Sequence, residues 1–129
     1  MPADQDEELI MNIGEGLTLN AINYPNKTAL VYEGRRATYS EMNRRTNRLA
    51  NAVAGIGLGR GDKVAVLLHN CPEYMEAIFA LAKLGVVIVP LNYRLAPPEV
   101  EYIVNNSDSR LLITERECLG QVEPILSGL

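Results

Sequence analysis

Lys63-Val64-Ala65-Val66-Leu67-Leu68 is an unbroken apolar run behind a single lysine, and its reading decides the fold. A strand with one wet face alternates polar and apolar residues, whereas a continuous Val/Leu/Ala run of this length suits a strand covered on both sides. Val86-Val87-Ile88-Val89 and Leu111-Leu112-Ile113 repeat the pattern, so three buried strands are expected. Two helices separate them. The first opens at Pro72, carries Met75, Ile78, Phe79 and Ala82 on one face and stops at Gly85. The second opens at Pro97-Pro98, turns Val100, Ile103 and Val104 inward and ends in Asn105-Asn106-Ser107-Asp108. Strand, helix, strand, helix, strand with short links implies two right-handed crossovers and a parallel sheet.

Upstream of Gly61 the period is different. Glu41 to Ile56 places Met42, Leu49, Ala50, Val53 and Ile56 at helical spacing, with Arg44, Arg45, Arg48 and Asn51 largely elsewhere on the wheel. Ser40 is the expected cap of this helix; Gly57 ends it, with Leu58 in the apolar position that follows a glycine C-cap. Thr28-Ala29-Leu30-Val31-Tyr32 and Arg36-Ala37-Thr38-Tyr39 flank Glu33-Gly34-Arg35 and read as a β-hairpin. Asn12 followed by Glu15 has capping-box spacing for a short first helix that stops before Tyr24-Pro25. The fold class is therefore α/β: an N-terminal helix and hairpin followed by a β-α-β-α-β parallel unit. Such a sheet is short of strands, and the Leu111-Leu112-Ile113 strand is expected to leave either an exposed edge or one covered by a helical tail from Leu119 to Leu126, which points to a missing partner.

The chain has 129 residues, with twelve Lys+Arg against sixteen Asp+Glu, a net charge of −4. That is one domain's worth of chain, and it offers no basic surface for a phosphate backbone, which excludes nucleic acid as the expected partner. At 47% hydrophobic and 22% charged it carries a real core, built from aliphatic residues because Phe occurs once and Trp not at all. The acidic start, Met1 to Glu8, lacks the basic and apolar regions of a secretory signal, and no run reaches membrane-spanning length. A cytoplasmic location, no membrane span, and reduced thiols at Cys71 and Cys118 are the expectations.

Each chemically suggestive residue also has an ordinary reading. Gly55-Ile56-Gly57-Leu58-Gly59-Arg60-Gly61 follows a helix and opens a strand, the reverse of a phosphate-binding loop, so it reads as a C-cap and turn. Lys27, Lys63 and Lys83 form no Walker signature. His69 and Cys71 are two residues apart with Cys118 remote in sequence, short of the ligands zinc takes, so no metal ligand is assigned. Glu73 and Glu76 read as solvated, not as a catalytic pair, and Arg44, Arg45 and Arg48, with Arg35 and Arg36 upstream, as a wet helix face. His69 and Asn70 lie at the carboxyl end of a parallel strand, where open α/β sheets put their ligands. Arg94 occupies the corresponding strand-to-helix connection in Leu91-Asn92-Tyr93-Arg94-Leu95, and its guanidinium suits a phosphate.

The run Gly61 to Leu68, then Asn70-Cys71-Pro72-Glu73-Tyr74, Leu81-Ala82-Lys83-Leu84-Gly85 and Val89-Pro90-Leu91-Asn92-Tyr93-Arg94-Leu95 resembles the N-terminal part of adenylate-forming acyl-CoA synthetases. Tyr24 to Leu30, Thr38-Tyr39-Ser40-Glu41 and Glu99 to Ser107 extend the resemblance over nearly the whole chain. It implies an enzyme class that activates a carboxylic or fatty acid with ATP and Mg through an acyl-adenylate and passes the acyl group to coenzyme A. The motifs of that class that hold ATP and perform the chemistry are not in this sequence, so no catalytic residue is assigned and the chain alone is expected to be non-catalytic. Arg94 matches an arginine that in some members contacts the nucleotide phosphate of coenzyme A, which makes it the one cofactor-binding residue expected. On this reading residues 1–11 are an acidic, disordered leader and 12–129 a partial N-terminal domain, with the remainder of a ligase chain as partner. A free-standing α/β interaction module, or an inactive remnant, is the alternative. Ala96 departs from relatives that carry Ser or Thr before the proline, and alanine is a poor N-cap.

Overall fold

A computed structural model describes residues 13–129. Its elements run α1 (Ile13–Asn23), β1 (Thr28–Tyr32), β2 (Arg35–Thr38), α2 (Tyr39–Gly55), β3 (Lys63–Leu67), α3 (Pro72–Lys83), β4 (Val87–Leu91), α4 (Pro97–Asn106) and β5 (Leu111–Thr114), then a 3-10 turn (Arg116–Cys118), the short α5 (Leu119–Val122) and a second 3-10 turn (Glu123–Gly128). The acidic leader and the Asn12 cap lie outside the described residues.

β3 is the middle of a three-stranded sheet of order β4-β3-β5, pairing in parallel with both neighbours. Its Val64, Ala65, Val66 and Leu67 are all fully buried. The expectation of burial on both faces holds for this strand alone. β4 shows Val87 to solvent and β5 is half-buried throughout, because each has a neighbour on one side only.

The pleat sends alternate residues of β3 to opposite faces, and two cores result. Val64, Val66 and Leu68 join Val53, Leu58, Ala77, Leu81 and Val86 under α2 and α3. Ala65 and Leu67 join Leu91, Val100, Val104, Cys118, Val122 and Ile125 under α4 and the tail. Crossovers that leave β3 for β4 and return past it to β5 place their helices on opposite faces when both have the same hand. The tail covers this second face and not the β5 edge for which it was expected, and it is α-helical only over Leu119–Val122, with 3-10 turns on either side.

Several local expectations shift. Helix α2 is capped by Thr38, not Ser40: the Thr38 hydroxyl accepts from the Glu41 amide at 3.1 Å while the Glu41 carboxylate accepts from the Thr38 amide at 3.4 Å. That reciprocal pair needs the Thr-x-x-Glu spacing, which Ser40 lacks. The Ser40 amide donates instead to the Pro25 carbonyl at 3.1 Å. The hairpin turn is Glu33-Gly34 alone, both with positive φ (48° and 79°), and Arg35 already pairs with Tyr32. Two left-handed central residues give the turn whose twist matches the strands.

At the far end of α2, Gly57 takes φ +93°, its amide reaches the Ala54 carbonyl at 3.0 Å and the Leu58 amide reaches that of Val53 at 3.4 Å. This double closure fixes Leu58 in the core and throws Ile56 outward, 63% exposed, against its assignment to the apolar face. Helix α3 also presents a different stripe from the one expected. Ala77, Ala80 and Leu81 meet the sheet side and are buried, whereas Met75 is exposed and Phe79 faces a groove shared with Leu17 and Met42. The reason is that α3 has a second neighbour in α1, so its apolar surface is wider than one stripe.

Candidate functional site

The loops that follow β3, β4 and β5 all open at the carboxyl edge of the sheet, and each delivers a polar side chain there. Parallel strands make this edge the natural site, since every connection to a helix leaves from it. From β3 comes His69, from β4 Tyr93 and Arg94, and from β5 Glu115, with Cys118 in the turn that follows.

Glu115 is the hub. One of its carboxylate oxygens accepts from the His69 backbone amide at 2.7 Å and also meets the His69 ring at Nδ1. Those two contacts, the backbone one foremost, hold the Glu115 carboxyl below its usual range. Cys118 Sγ lies 3.7 Å from His69 Nδ1 and 3.8 Å from the same Glu115 oxygen. The thiol is fully buried, and burial together with the neighbouring carboxylate pushes its pKa up, so Cys118 is a weak nucleophile on its own. His69 and Glu115 keep 42% and 23% of their side-chain surface. Thr114, last in β5, ties the edge together by donating its hydroxyl to the Leu67 carbonyl at 2.9 Å.

Tyr93 closes one side, its ring 4.3 Å from the imidazole and tilted by 39°. Arg94 lies beyond it, exposed, with its guanidinium 5.4 Å from the Tyr93 ring centroid. Among the described residues it pairs with no carboxylate. The loop is fastened from behind, where Gln121 donates to the carbonyls of Tyr93 and Leu95, both at 2.6 Å. Arg94 is thus an exposed cation over the Tyr93 ring on a held loop, with no carboxylate partner among the described residues.

The other candidates separate. Arg45 and Glu76 form an ion pair at 2.5 Å that links α2 to α3, so Glu76, 13% exposed, is a tether and not a solvated residue. Glu73, Arg44 and Arg48 are exposed as expected. Cys71 packs at the margin of the α2/α3 core and Cys118 in the other, and both thiols are free. The glycine loop is a turn: Gly61 has φ +86°, and Asp62 accepts from the Gly59 amide at 2.9 Å. Sequence distance misled in one case. Cys118, set aside as remote, is beside His69, and Glu115 was not singled out at all.

A family model described as an AMP-binding enzyme matches residues 17–128, nearly all of the chain just described. The chain belongs to that family. The fatty acid–acyl-carrier-protein ligase ScoC of Streptomyces coeruleorubidus is 42% identical over 100 residues, 78% of this chain and 19% of that protein. A crotonobetaine/carnitine–CoA ligase of Citrobacter koseri is 40% identical over 108 residues, 80% of this chain and 21% of its own. Among solved structures, the N-terminal domain of FACL13 from Mycobacterium tuberculosis superposes with a TM-score of 0.87 at 36% identity, over 92% of this chain and 30% of that one. The chain therefore matches an N-terminal domain of the AMP-binding enzymes and spans about a fifth of the length of its curated relatives. No helix among the described residues is long and apolar enough to cross a membrane.

Proposed function

We propose that this chain is the opening α/β portion of an ATP-dependent acid–thiol ligase, most simply an acyl-CoA synthetase, in which it acts as scaffold and contributes Arg94 to a phosphate of coenzyme A. The observation that carries the reading is the 0.87 superposition on a fatty acyl-CoA synthetase domain together with a family match from 17 to 128. The chemistry of the free Arg94 fits: an exposed guanidinium on a loop held by Gln121 offers a charge-assisted, two-pronged contact to a phosphate. ATP, Mg and the carboxylate substrate belong to the whole enzyme on this reading, with the remainder of the ligase chain as partner and a cytoplasmic location. Coenzyme A, when bound, supplies the thiol that accepts the acyl group.

The intact mass of the protein carrying this sequence in its source tests the first part; a mass several times 14.2 kDa is expected, and 14.2 kDa itself overturns it. The second part is tested in that natural protein by Arg94→Ala. Loss of one charge-assisted contact of about 1–3 kcal/mol raises the KM for coenzyme A about 5- to 150-fold while acid-dependent exchange of pyrophosphate into ATP is retained. Equal loss in both half-reactions refutes the role.

A further inference from the structure

Beyond the ligase reading, and independent of it, we propose that His69 Nδ1, the Glu115 carboxylate and the Cys118 thiolate form a three-ligand site for a zinc-like divalent cation, with solvent in the fourth position. The three donor atoms lie within 4.8 Å of one another, and each comes from a different chemical class. Zinc–ligand bonds of about 2.0–2.3 Å place the corners of a tetrahedral site roughly 3.3–3.8 Å apart. The observed 3.7 Å from sulfur to imidazole and 3.8 Å from sulfur to carboxylate are such edges.

On the third edge, His69 Nδ1 and Glu115 meet in a direct contact, closer together than two ligands of one ion. A bound cation opens this edge by rotation of two side chains that keep part of their surface free. Cys118 needs no such movement: it is held in the core between Leu67, Val122 and their neighbours. Binding releases the Cys118 thiol proton to solvent, since the ligating sulfur is a thiolate, and takes the His69 tautomer whose proton is on Nε2. The donor set selects the ion. Sulfur and imidazole favour zinc and its neighbours over magnesium or calcium, which take oxygen.

Two further details fit a ligand site. The His69 amide fixes the orientation of Glu115 from outside the donor set, the supporting hydrogen bond that ligating carboxylates have. His69 keeps 42% of its side-chain surface, so the cluster borders solvent.

The test is a titration of the reduced chain with cobalt(II) chloride alone, reading the sulfur-to-cobalt charge-transfer absorption, followed by competition with zinc and with magnesium. A band that saturates at one equivalent, is abolished by zinc and is untouched by magnesium is expected. It persists in Cys71→Ser and disappears in Cys118→Ser. Because Cys118 is a core residue, His69→Gln and Glu115→Gln are made in parallel, and circular dichroism confirms their fold; each weakens binding by at least about tenfold. Absence of the band in the parent chain, its survival in Cys118→Ser, its dependence on Cys71, or unchanged affinity in folded His69→Gln overturns the proposal.

Discussion

Two glycines of α1, two residues apart and unlike in burial, make the sharpest test of the packing: Gly14 and Gly16. Alanine at either position improves helix propensity by up to about 1 kcal/mol, because glycine has more backbone freedom to lose. At Gly16 nothing lies within 4 Å of an added Cβ, so only the propensity acts and Gly16→Ala gains about 0.5–1 kcal/mol. Gly14 is buried, and an added Cβ falls 2.8 Å from the backbone nitrogen and 2.9 Å from the Cα of Lys83 at the end of α3.

Backbone cannot step aside as a flexible side chain can. Lys83 is further held by its ammonium, which donates to Asn47 at 2.6 Å and to Asn43, both on α2. Relief requires α1 to lift, exposing Leu17, now 4% exposed, and overpacking of this kind costs about 1–3 kcal/mol. Contacts under 3.0 Å to backbone put the cost in the upper half of that range, about 2–3 kcal/mol, so net of the propensity gain Gly14→Ala loses about 1–2.5 kcal/mol, or about 3–10 °C in Tm for a domain of this size. Chemical denaturation of the three proteins under one condition reads both effects. Opposite signs are expected; a Gly14→Ala variant as stable as the parent would show that α1 does not seat on α3 as described.

Ala96 precedes α4 in extended conformation, with no side-chain cap. Pro97 and Pro98 bring no amide to the first turn, and the Glu99 amide already donates to the Ala96 carbonyl at 2.9 Å, so Ala96→Ser is expected to change stability in urea unfolding by less than about 0.5 kcal/mol; a gain of about 1 kcal/mol or more would show an amide left open at this end. Asp62 is held below the ordinary aspartate range by the Gly59 amide and then by Arg110. Its folded pKa is depressed, so the unfolded chain takes up the proton first: the contribution is present above the ordinary aspartate value and is lost as pH falls through the depressed one. Asp62→Asn accordingly flattens the acid limb of stability against pH, between about pH 5 and pH 2, and an unchanged slope counts against the loop geometry.

The sheet was legible because burial of β3 on both faces left the same mark at every position from Val64 to Leu67. Helix starts at Pro72 and Pro97 were legible for a covalent reason, proline's fixed φ and missing amide. Choices among near-equals were not. Thr38 and Ser40 are both hydroxyl residues ahead of α2, and only the distance to Glu41 separates them. Glu33 carries no side-chain signal for the left-handed conformation it adopts, since the hairpin twist imposes it. At the sheet edge, His69 and Arg94 were readable from their places after strands. Glu115 is 46 residues from His69 and Cys118 is 49, and their convergence follows from β5 pairing beside β3, which no local pattern encodes.

The partition of β3 side chains between two cores gives the chain an order of assembly. A ribosome delivers Val53 through Val86 early, and with them nearly every buried residue of the face under α2 and α3. The opposite face is completed only by Cys118, Val122 and Ile125, so until those residues emerge Ala65 and Leu67 have Leu91, Val100 and Val104 as their only cover from this core. For that interval the nascent chain is a half-closed shell, finished on one side and adhesive on the other. A trigger-factor-like holdase would find its surface there, on the α4 side of the sheet, and lose it as the tail docks.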